Sequence, residues 1–399
     1  MLNKAIKTNF WTKKLNLDKI GFFKTIISFL FILSFLIFTI TTESESGTLF
    51  SYAKYAVLLL SILVSTAFVY FHRKELKSRN VNKEYFYLAF VVVLFLIFSL
   101  FKTIITSKLT IRIIMEFFFL ISPILYSYLI VRIFTIKQIY YLSIVTFFIC
   151  FFGYLFTLNM NISEIFNNFL SANFFNSTSK LESHTFAGVS ISFCLFFIYY
   201  NKNKLITFLS ILFVLFTFKR LAVLFAFFFL FCTLLRRYID KKPSKAILNT
   251  IIILTVCFLL IYYVLMQPSI VEYLRINFGI DLRKFTMTRT DRLKMLLDST
   301  YISYGFGSST EFMYSNFDNV SLEMDMIKII IELGFIPAIA FIFGYFKFAS
   351  KNYFSLLIIG FCILNLITSS SLTSVFSWII SYITIVEINH NRKSSLYEI

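Results

Sequence analysis

Cysteine, glycine and the short motifs of soluble enzymes are scarce in this sequence. Of the 399 residues, only 5 are cysteine and 10 are glycine. The cysteines lie inside apolar runs and lack CxxC spacing, which argues against disulfides and against a metal site. They are Cys150, Cys194, Cys232, Cys257 and Cys362. The sequence contains no Walker loop, no GxSxG and no HExxH, so an ATP-driven pump and a zinc protease have no support.

Long apolar runs make up most of the chain, which is 58% hydrophobic and contains 55 phenylalanines. Runs of about 20 residues recur, the length that crosses about 30 Å of hydrocarbon as a helix. We therefore predict an all-α polytopic membrane protein, a single integral membrane domain over residues 1–399 with about 12 transmembrane helices. The segments before and after Lys219 and Arg220 are short and fit either two thin crossings or a re-entrant hairpin. The candidate crossings are 20–41, 50–71, 86–106, 112–134, 139–158, 185–200, 205–218, 221–235, 247–266, 325–347, 353–369 and 372–388.

Basic residues outnumber acidic residues by 38 to 20, giving a net charge of +18. In a membrane protein such residues mark cytoplasmic loops and contact anionic lipid, so nucleic acid is not the expected partner. Every second loop is basic, with exceptions at Lys108 and Arg112, which predicts that both termini are cytoplasmic. The first apolar run is too long for a cleavable signal peptide. The same pattern places loop 159–184 and the large loop 267–322, before the tenth helix, outside. Short helices are predicted in the large loop at Ile270–Ile276 and Arg289–Leu297.

Candidate functional residues lie where the predicted outer loops meet the apolar segments. Arg289 and Arg292 are spaced by three, and an arginine fork suits bidentate binding of phosphate. The alternative is a solvated helix with local ion pairs. Arg220 interrupts a long apolar stretch on the same side, either as an anion site or as a side chain that reaches the interface. His184 is a candidate base because imidazole titrates near neutral pH, although a lone histidine is more often structural.

Further charges open the tenth predicted crossing. Ser321 is a plausible N-cap, which places Glu323 and Asp325 in the first turn, where carboxylates also complement the helix dipole. Asp325, Lys328 and Glu332 are three and four residues apart and share one helix face. Because a charge at a helix centre costs about 2.5–3.5 kcal/mol on insertion scales, this face is predicted to point into the bundle. There Lys328 would neutralise Glu332.

Four short segments follow one another in the second half of the chain: Thr217-Phe218-Lys219-Arg220-Leu221-Ala222, Thr288-Arg289-Thr290-Asp291, Gly305-Phe306-Gly307 and Glu332-Leu333-Gly334-Phe335-Ile336. In this order they are similar to a Ser-Arg patch at a helix start, a loop arginine motif, a Gly-x-Gly and a Glu-x-Gly-Ile run. These motifs resemble those of the bacterial O-antigen ligase and polymerase superfamily, and particularly its Wzy-type polymerases of O-antigen and capsular polysaccharide. The chain departs from the pattern at Lys219, where the family has serine, and at Glu323, where its ligases have histidine.

The resemblance implies a metal-independent membrane glycosyltransferase that needs no cofactor. Such an enzyme would join oligosaccharide repeat units carried on undecaprenyl diphosphate, at the outer face of the bacterial cytoplasmic membrane. The implied partners are the lipid-linked glycan, the bilayer and a chain-length regulator. The site residues are Arg220, Arg289 and Arg292 for diphosphate binding and Glu323, Asp325 and His184 as candidate proton acceptors. A flippase or transporter of lipid-linked sugars is an alternative, although no internal repeat supports it. A ligase is the third possibility, and the missing histidine argues against it.

Overall fold

The computed structural model describes residues 2–42, 49–73, 81–161, 163, 164, 167, 168, 181–317 and 320–390. Helices dominate these residues, and none of them lies in a β-strand. The prediction of an all-α fold is therefore confirmed. The sequence favours this outcome because each long apolar run can satisfy its own backbone hydrogen bonds only as a helix.

The first nine described helices lie between residues 2 and 239, before the predicted large loop. They are α1 Leu2–Thr41, α2 Leu49–Phe71, α3 Asn82–Thr106, α4 Ile111–Ile133, α5 Ile136–Thr157, α6 His184–Tyr200, α7 Lys204–Phe216, α8 Arg220–Cys232 and α9 Arg236–Ile239. A 3-10 turn, Thr233–Leu235, joins α8 to α9. The remaining helices are α10 Lys245–Leu265, α11 Pro268–Phe278, α12 Leu282–Phe285, α13 Arg289–Leu297, α14 Ser308–Asn316, α15 Asp325–Leu333, α16 Phe335–Phe348, α17 Tyr353–Thr368 and α18 Val375–Asn389.

Seven helical segments within the described part of the chain are long and apolar enough to cross a membrane. They are Ile20–Thr41, Tyr52–Phe71, Asn82–Thr106, Ile111–Ile133, Ile136–Thr157, Arg220–Ile239 and Lys245–Leu265. Other apolar helices are shorter, with 10–17 residues. At a rise of about 1.5 Å per residue, even the longest of these spans about 25 Å, less than a hydrocarbon core of about 30 Å. The structure thus fits a multi-pass membrane protein, but the predicted count of about 12 crossings is not confirmed.

The predicted tenth crossing, 325–347, is two helices rather than one. The backbone at Gly334 has φ +101° and ψ 178°, a conformation open almost only to glycine. Helix α15 therefore ends at Leu333, and α16 begins at Phe335. The break separates α15, at the edge of the predicted large loop, from α16. Within that loop, α11 and α13 confirm the two short helices predicted there.

The last helix, α18, lies at the centre of the bundle. It packs against α4, α6 and α17. All residues from Val375 to Ile388 except Ser377 are buried. Its polar residues Ser381, Thr384 and Glu387 are also buried, and a place inside the bundle keeps them out of contact with lipid.

Loops that the charge pattern assigns to the cytoplasm meet at one end of the bundle. The Arg236 guanidinium donates to the carbonyl of Tyr199, and Lys351 forms an ion pair with Glu84. Because the apolar helical segment that contains Arg236 begins at Arg220, Arg220 lies at the other end. That other end carries the candidate site residues.

Candidate functional site

Two arginines from one short helix meet a single carboxylate. Helix α13 begins at Arg289, and Arg292 lies about one turn later on the same face. Arg292 Nη1 is 2.7 Å from Glu323 Oε1, and Arg289 Nε is 3.6 Å from Glu323 Oε2. The side chains are 18%, 27% and 32% exposed for Arg289, Arg292 and Glu323. The structure therefore brings these three sequence-predicted residues together in a partly buried cluster, which we call the arginine cluster.

The backbone around the arginine cluster occupies the left-handed region at several residues that are not glycine. The angle φ is +53° at Met287, +65° at Thr288 and +51° at Glu323, and it is +49° at Phe218, just before the Lys219-Arg220 pair. This conformation costs a residue with a side chain about 1–2 kcal/mol. Backbone strain of this kind concentrates at functional sites, where the surrounding structure holds it in place.

The expected N-cap at Ser321 is wrong. Helix α15 begins at Asp325, and its N-cap position is Met324, which makes no side-chain capping bond. The carbonyl of Ser321 instead accepts a hydrogen bond from Arg292 Nη1 at 3.1 Å. Glu323 therefore lies outside the helix, and its side chain pairs with arginines rather than with the helix dipole.

Lys219 and Arg220 add positive charge where α7 meets α8. Burial lowers the pKa of the Lys219 ammonium, the nearby Arg289 charge lowers it further, and carboxylates including Glu323 oppose both effects. Lys219 thus lies within electrostatic range of the arginine cluster. The Nη2 atom of Arg220 is buried and has no hydrogen-bond partner within the described residues. A buried donor without an acceptor costs about 1–3 kcal/mol, which an anionic ligand would recover.

The remaining two predicted site residues are placed differently. Asp325 is 5% exposed, and its Oδ2 accepts hydrogen bonds from the backbone N–H groups of Ser371 and Leu372, both at 2.6 Å. This carboxylate therefore holds the serine-rich loop 369–374 between α17 and α18. His184 is the first residue of α6, and its side chain lies outside the described residues.

Glu332 anchors the Gly305-Phe306-Gly307 segment to the bundle. Its carboxylate accepts from Gly307 N at 2.7 Å, from Ser309 N at 2.8 Å and from Ser309 Oγ at 2.6 Å. Gly307 has φ +94°, and a Cβ atom there would lie 2.6 Å from Glu116 Cγ. The segment that begins at Glu332 and the Gly305-Phe306-Gly307 segment therefore contact each other. This contact ties the predicted outer loop to α4 and α15.

Lys328 pairs with a residue that sequence analysis did not select. Its Nζ lies 3.1 Å from Glu116 Oε1, and Arg112 Nη2 lies 2.7 Å from the same oxygen. Lys328 thus forms its close ion pair with Glu116, which the sequence did not predict, and it also remains within electrostatic range of Glu332. Asp325, Lys328 and Glu332 are all buried, as their spacing and location predict. A usable signal was present, since Glu116 is a lone carboxylate inside a predicted crossing.

The arginine cluster can bind an anion. Its guanidinium groups offer planar pairs of N–H donors that match phosphate oxygens, and Glu323 serves as their present counter-ion. No group of three or more His, Cys, Asp or Glu side chains that would hold a metal ion occurs among the described residues. Comparison of the chain with protein-family models, curated proteins and solved structures found no match.

Proposed function

We propose that the protein is a polysaccharide polymerase that joins repeat units carried on undecaprenyl diphosphate. The observation that carries this proposal is the arginine cluster, in which Arg289 and Arg292 share the Glu323 carboxylate. Arg220, whose buried Nη2 has no hydrogen-bond partner among the described residues, adds a third guanidinium at the same end of the bundle. Clustered guanidiniums beside an apolar bundle suit a lipid-linked diphosphate, whose tail lies against the helices while its charge stays at the interface.

The proposed reaction is a displacement at an anomeric carbon. A hydroxyl oxygen of one lipid-linked unit forms the new bond to the anomeric carbon of the growing chain. The bond from that carbon to undecaprenyl diphosphate breaks, and the diphosphate leaves with the bonding electron pair. Arg220, Arg289 and Arg292 stabilise the charge that develops on the leaving group. The hydroxyl proton passes to a carboxylate or imidazole of the protein.

In this proposal, Glu323 changes from counter-ion to proton acceptor when the substrate binds. Without substrate, its carboxylate neutralises Arg289 and Arg292. A bound diphosphate competes for the same guanidinium donors and leaves the carboxylate free to accept the hydroxyl proton. Asp325 and His184 are the alternative acceptors, and Asp325 would have to compete with its two backbone hydrogen bonds. No metal or other cofactor takes part in this scheme, because the arginines supply the positive charge.

The proposed location is the bacterial cytoplasmic membrane, with the arginine cluster on the outer face and both termini in the cytoplasm. The alternation of basic loops along the sequence supports this orientation. A chain-length regulator is the proposed protein partner, and capsule or O-antigen is the proposed product.

The test is the length distribution of the glycan in cells that carry Arg289→Ala. We expect the ladder to collapse to single repeat units, because loss of one donor to a developing charge lowers turnover by about 10²–10³-fold. Arg275→Ala is the matched control, since Arg275 is 48% exposed and pairs locally with Glu272 in the same predicted loop. Persistence of long chains in Arg289→Ala, at equal protein level, would show that Arg289 is not part of a polymerase site.

The same cells separate the alternative functions. Long lipid-linked polymer that is never attached to its acceptor indicates a ligase. Single repeat units that accumulate facing the cytoplasm indicate a flippase. Single units that reach the outside without being joined indicate a polymerase.

A further inference from the structure

A polar cavity of about 300 Å³ lies beside the serine-rich loop 369–374. This volume is at the lower end of the range for small-molecule sites. Hydroxyl side chains and aromatic rings line it, and Lys54 is the only charged residue among the described residues of its lining. Lys54 belongs to α2, far along the chain from the residues of the arginine cluster, so only folding brings this cation to the loop.

Lys54 is a half-buried cation without a carboxylate partner among the described residues. Its Nζ lies 5.4 Å from the ring centre of Tyr55 and 5.9 Å from that of Phe38. Aromatic faces stabilise a cation only modestly, and a charge withdrawn from water is unfavourable without a counter-ion. An anionic group on a ligand would supply such a counter-ion.

Hydroxyl groups in the cavity are also available. The side chains of Ser370, Thr373 and Ser374 make no hydrogen bond to any described residue, although each hydroxyl can both donate and accept. A sugar presents hydroxyl groups of the same kind, and its C–H face packs on aromatic rings such as Tyr55. The lining therefore matches a polyhydroxylated ligand that carries a negative charge.

The loop connects this cavity with the candidate site. Ser370 and Ser374 also line a narrower cavity that contains Lys219. Lys219 is within electrostatic range of the arginine cluster. Asp325 fixes the loop between the two cavities through Ser371 N. One loop therefore lies beside both Lys54 and Lys219.

We propose that the Lys54 cavity binds an acidic sugar of the glycan, with Lys54 on the carboxylate and the loop hydroxyls on the sugar. This inference rests on the proposed function for the identity of the glycan. It further specifies the substrate: the repeat unit carries a carboxylated sugar, and a neutral glycan binds the cavity less tightly.

Binding is tested with the full-length protein in lipid nanodiscs by ligand-observed NMR. The probes are digalacturonate and its neutral counterpart galabiose. We expect wild type to bind digalacturonate at least about tenfold more tightly, because charge-assisted hydrogen bonds are stronger than neutral ones. Lys54→Gln should abolish this preference, whereas Lys54→Arg should keep it. The control is Lys347→Gln, because Lys347 is also half-buried and lies 5.2 Å from the Phe343 ring.

Three results would overturn the inference: no binding of either probe by wild type, an unchanged preference in Lys54→Gln, or equally tight binding of glycerol 1-phosphate. The last would identify a lipid-headgroup site. The Arg289→Ala ladder separates this inference from the proposed function. A collapsed ladder without digalacturonate binding refutes the cavity alone. A persistent ladder with a Lys54-dependent preference refutes the polymerase and leaves the acidic-sugar site standing.

Discussion

Replacing Glu332 should destabilise the protein by detaching the Gly-Phe-Gly segment. The Glu332 side chain is fully buried and accepts from Gly307 N, Ser309 N and Ser309 Oγ at 2.6 to 2.8 Å. Glu332→Ala leaves two buried N–H groups without acceptors, at about 1–3 kcal/mol each, so we expect a loss of about 2–6 kcal/mol. The Ser309 hydroxyl can rotate and adds little. Lys328 keeps Glu116 as its partner, so the change does not leave it unpaired.

Two milder variants grade this effect. Glu332→Gln keeps one oxygen acceptor, but its amide NH₂ group then faces a backbone N–H group, so two donors oppose each other. We expect a loss of about 1–3 kcal/mol. Ser309→Ala removes only the hydroxyl and should cost about 0.5–1.5 kcal/mol. The measurement is the midpoint of heat-induced aggregation of the purified protein in detergent. The expected order of midpoints is wild type, Ser309→Ala, Glu332→Gln and Glu332→Ala, from highest to lowest. A Glu332→Ala midpoint equal to that of wild type would refute the anchoring role.

The same aggregation assay tests two further features of the buried network. Gly307→Ala should lower the midpoint more than Gly279→Ala, since a Cβ at Gly307 would lie 2.6 Å from Glu116 Cγ, whereas Gly279 has nothing within 4 Å. Gly279→Ala then reports backbone strain alone, about 1–2 kcal/mol, and equal midpoints would contradict the predicted clash. Glu116→Gln should cost about 3–5 kcal/mol because the buried Lys328 loses its ion-pair partner at 3.1 Å. Adding Lys328→Met should recover most of that loss, and a further drop in the double variant would argue against the ion pair.

Local sequence was sufficient for the all-helical class, for the two short helices of the predicted large loop and for part of the candidate site. The helix at Arg289–Leu297 follows the predicted bounds, since its charge pattern and spacing are local properties. Arg289, Arg292 and Glu323 were all selected from sequence, because charged residues at the edges of apolar segments are few. The predicted N-cap at Ser321 was wrong. The Ser321 carbonyl accepts a hydrogen bond from Arg292, and the Ser321 side chain does not cap the helix.

Residues far apart in sequence required the fold. Lys328 lies four residues from Glu332, and helical spacing made that pairing attractive. In the structure, folding brings Glu116 of α4 to Lys328 of α15, while backbone N–H groups donate to the Glu332 carboxylate. Lys54 carries no motif, and only its position at a hydroxyl-lined cavity distinguishes it.

The sequence by itself determined that the described chain is all-helical, that several of its helices are apolar and long enough to cross a membrane, and that charges concentrate around one predicted loop. Those properties follow from the length and polarity of continuous segments, which any fold of the chain retains. The tertiary structure decided the break at Gly334, the partner of Lys328 and the joining of the serine-rich loop to both lysine-containing cavities. These features depend on which helices pack together. Apolar runs of similar length and composition do not specify their packing partners by local pattern.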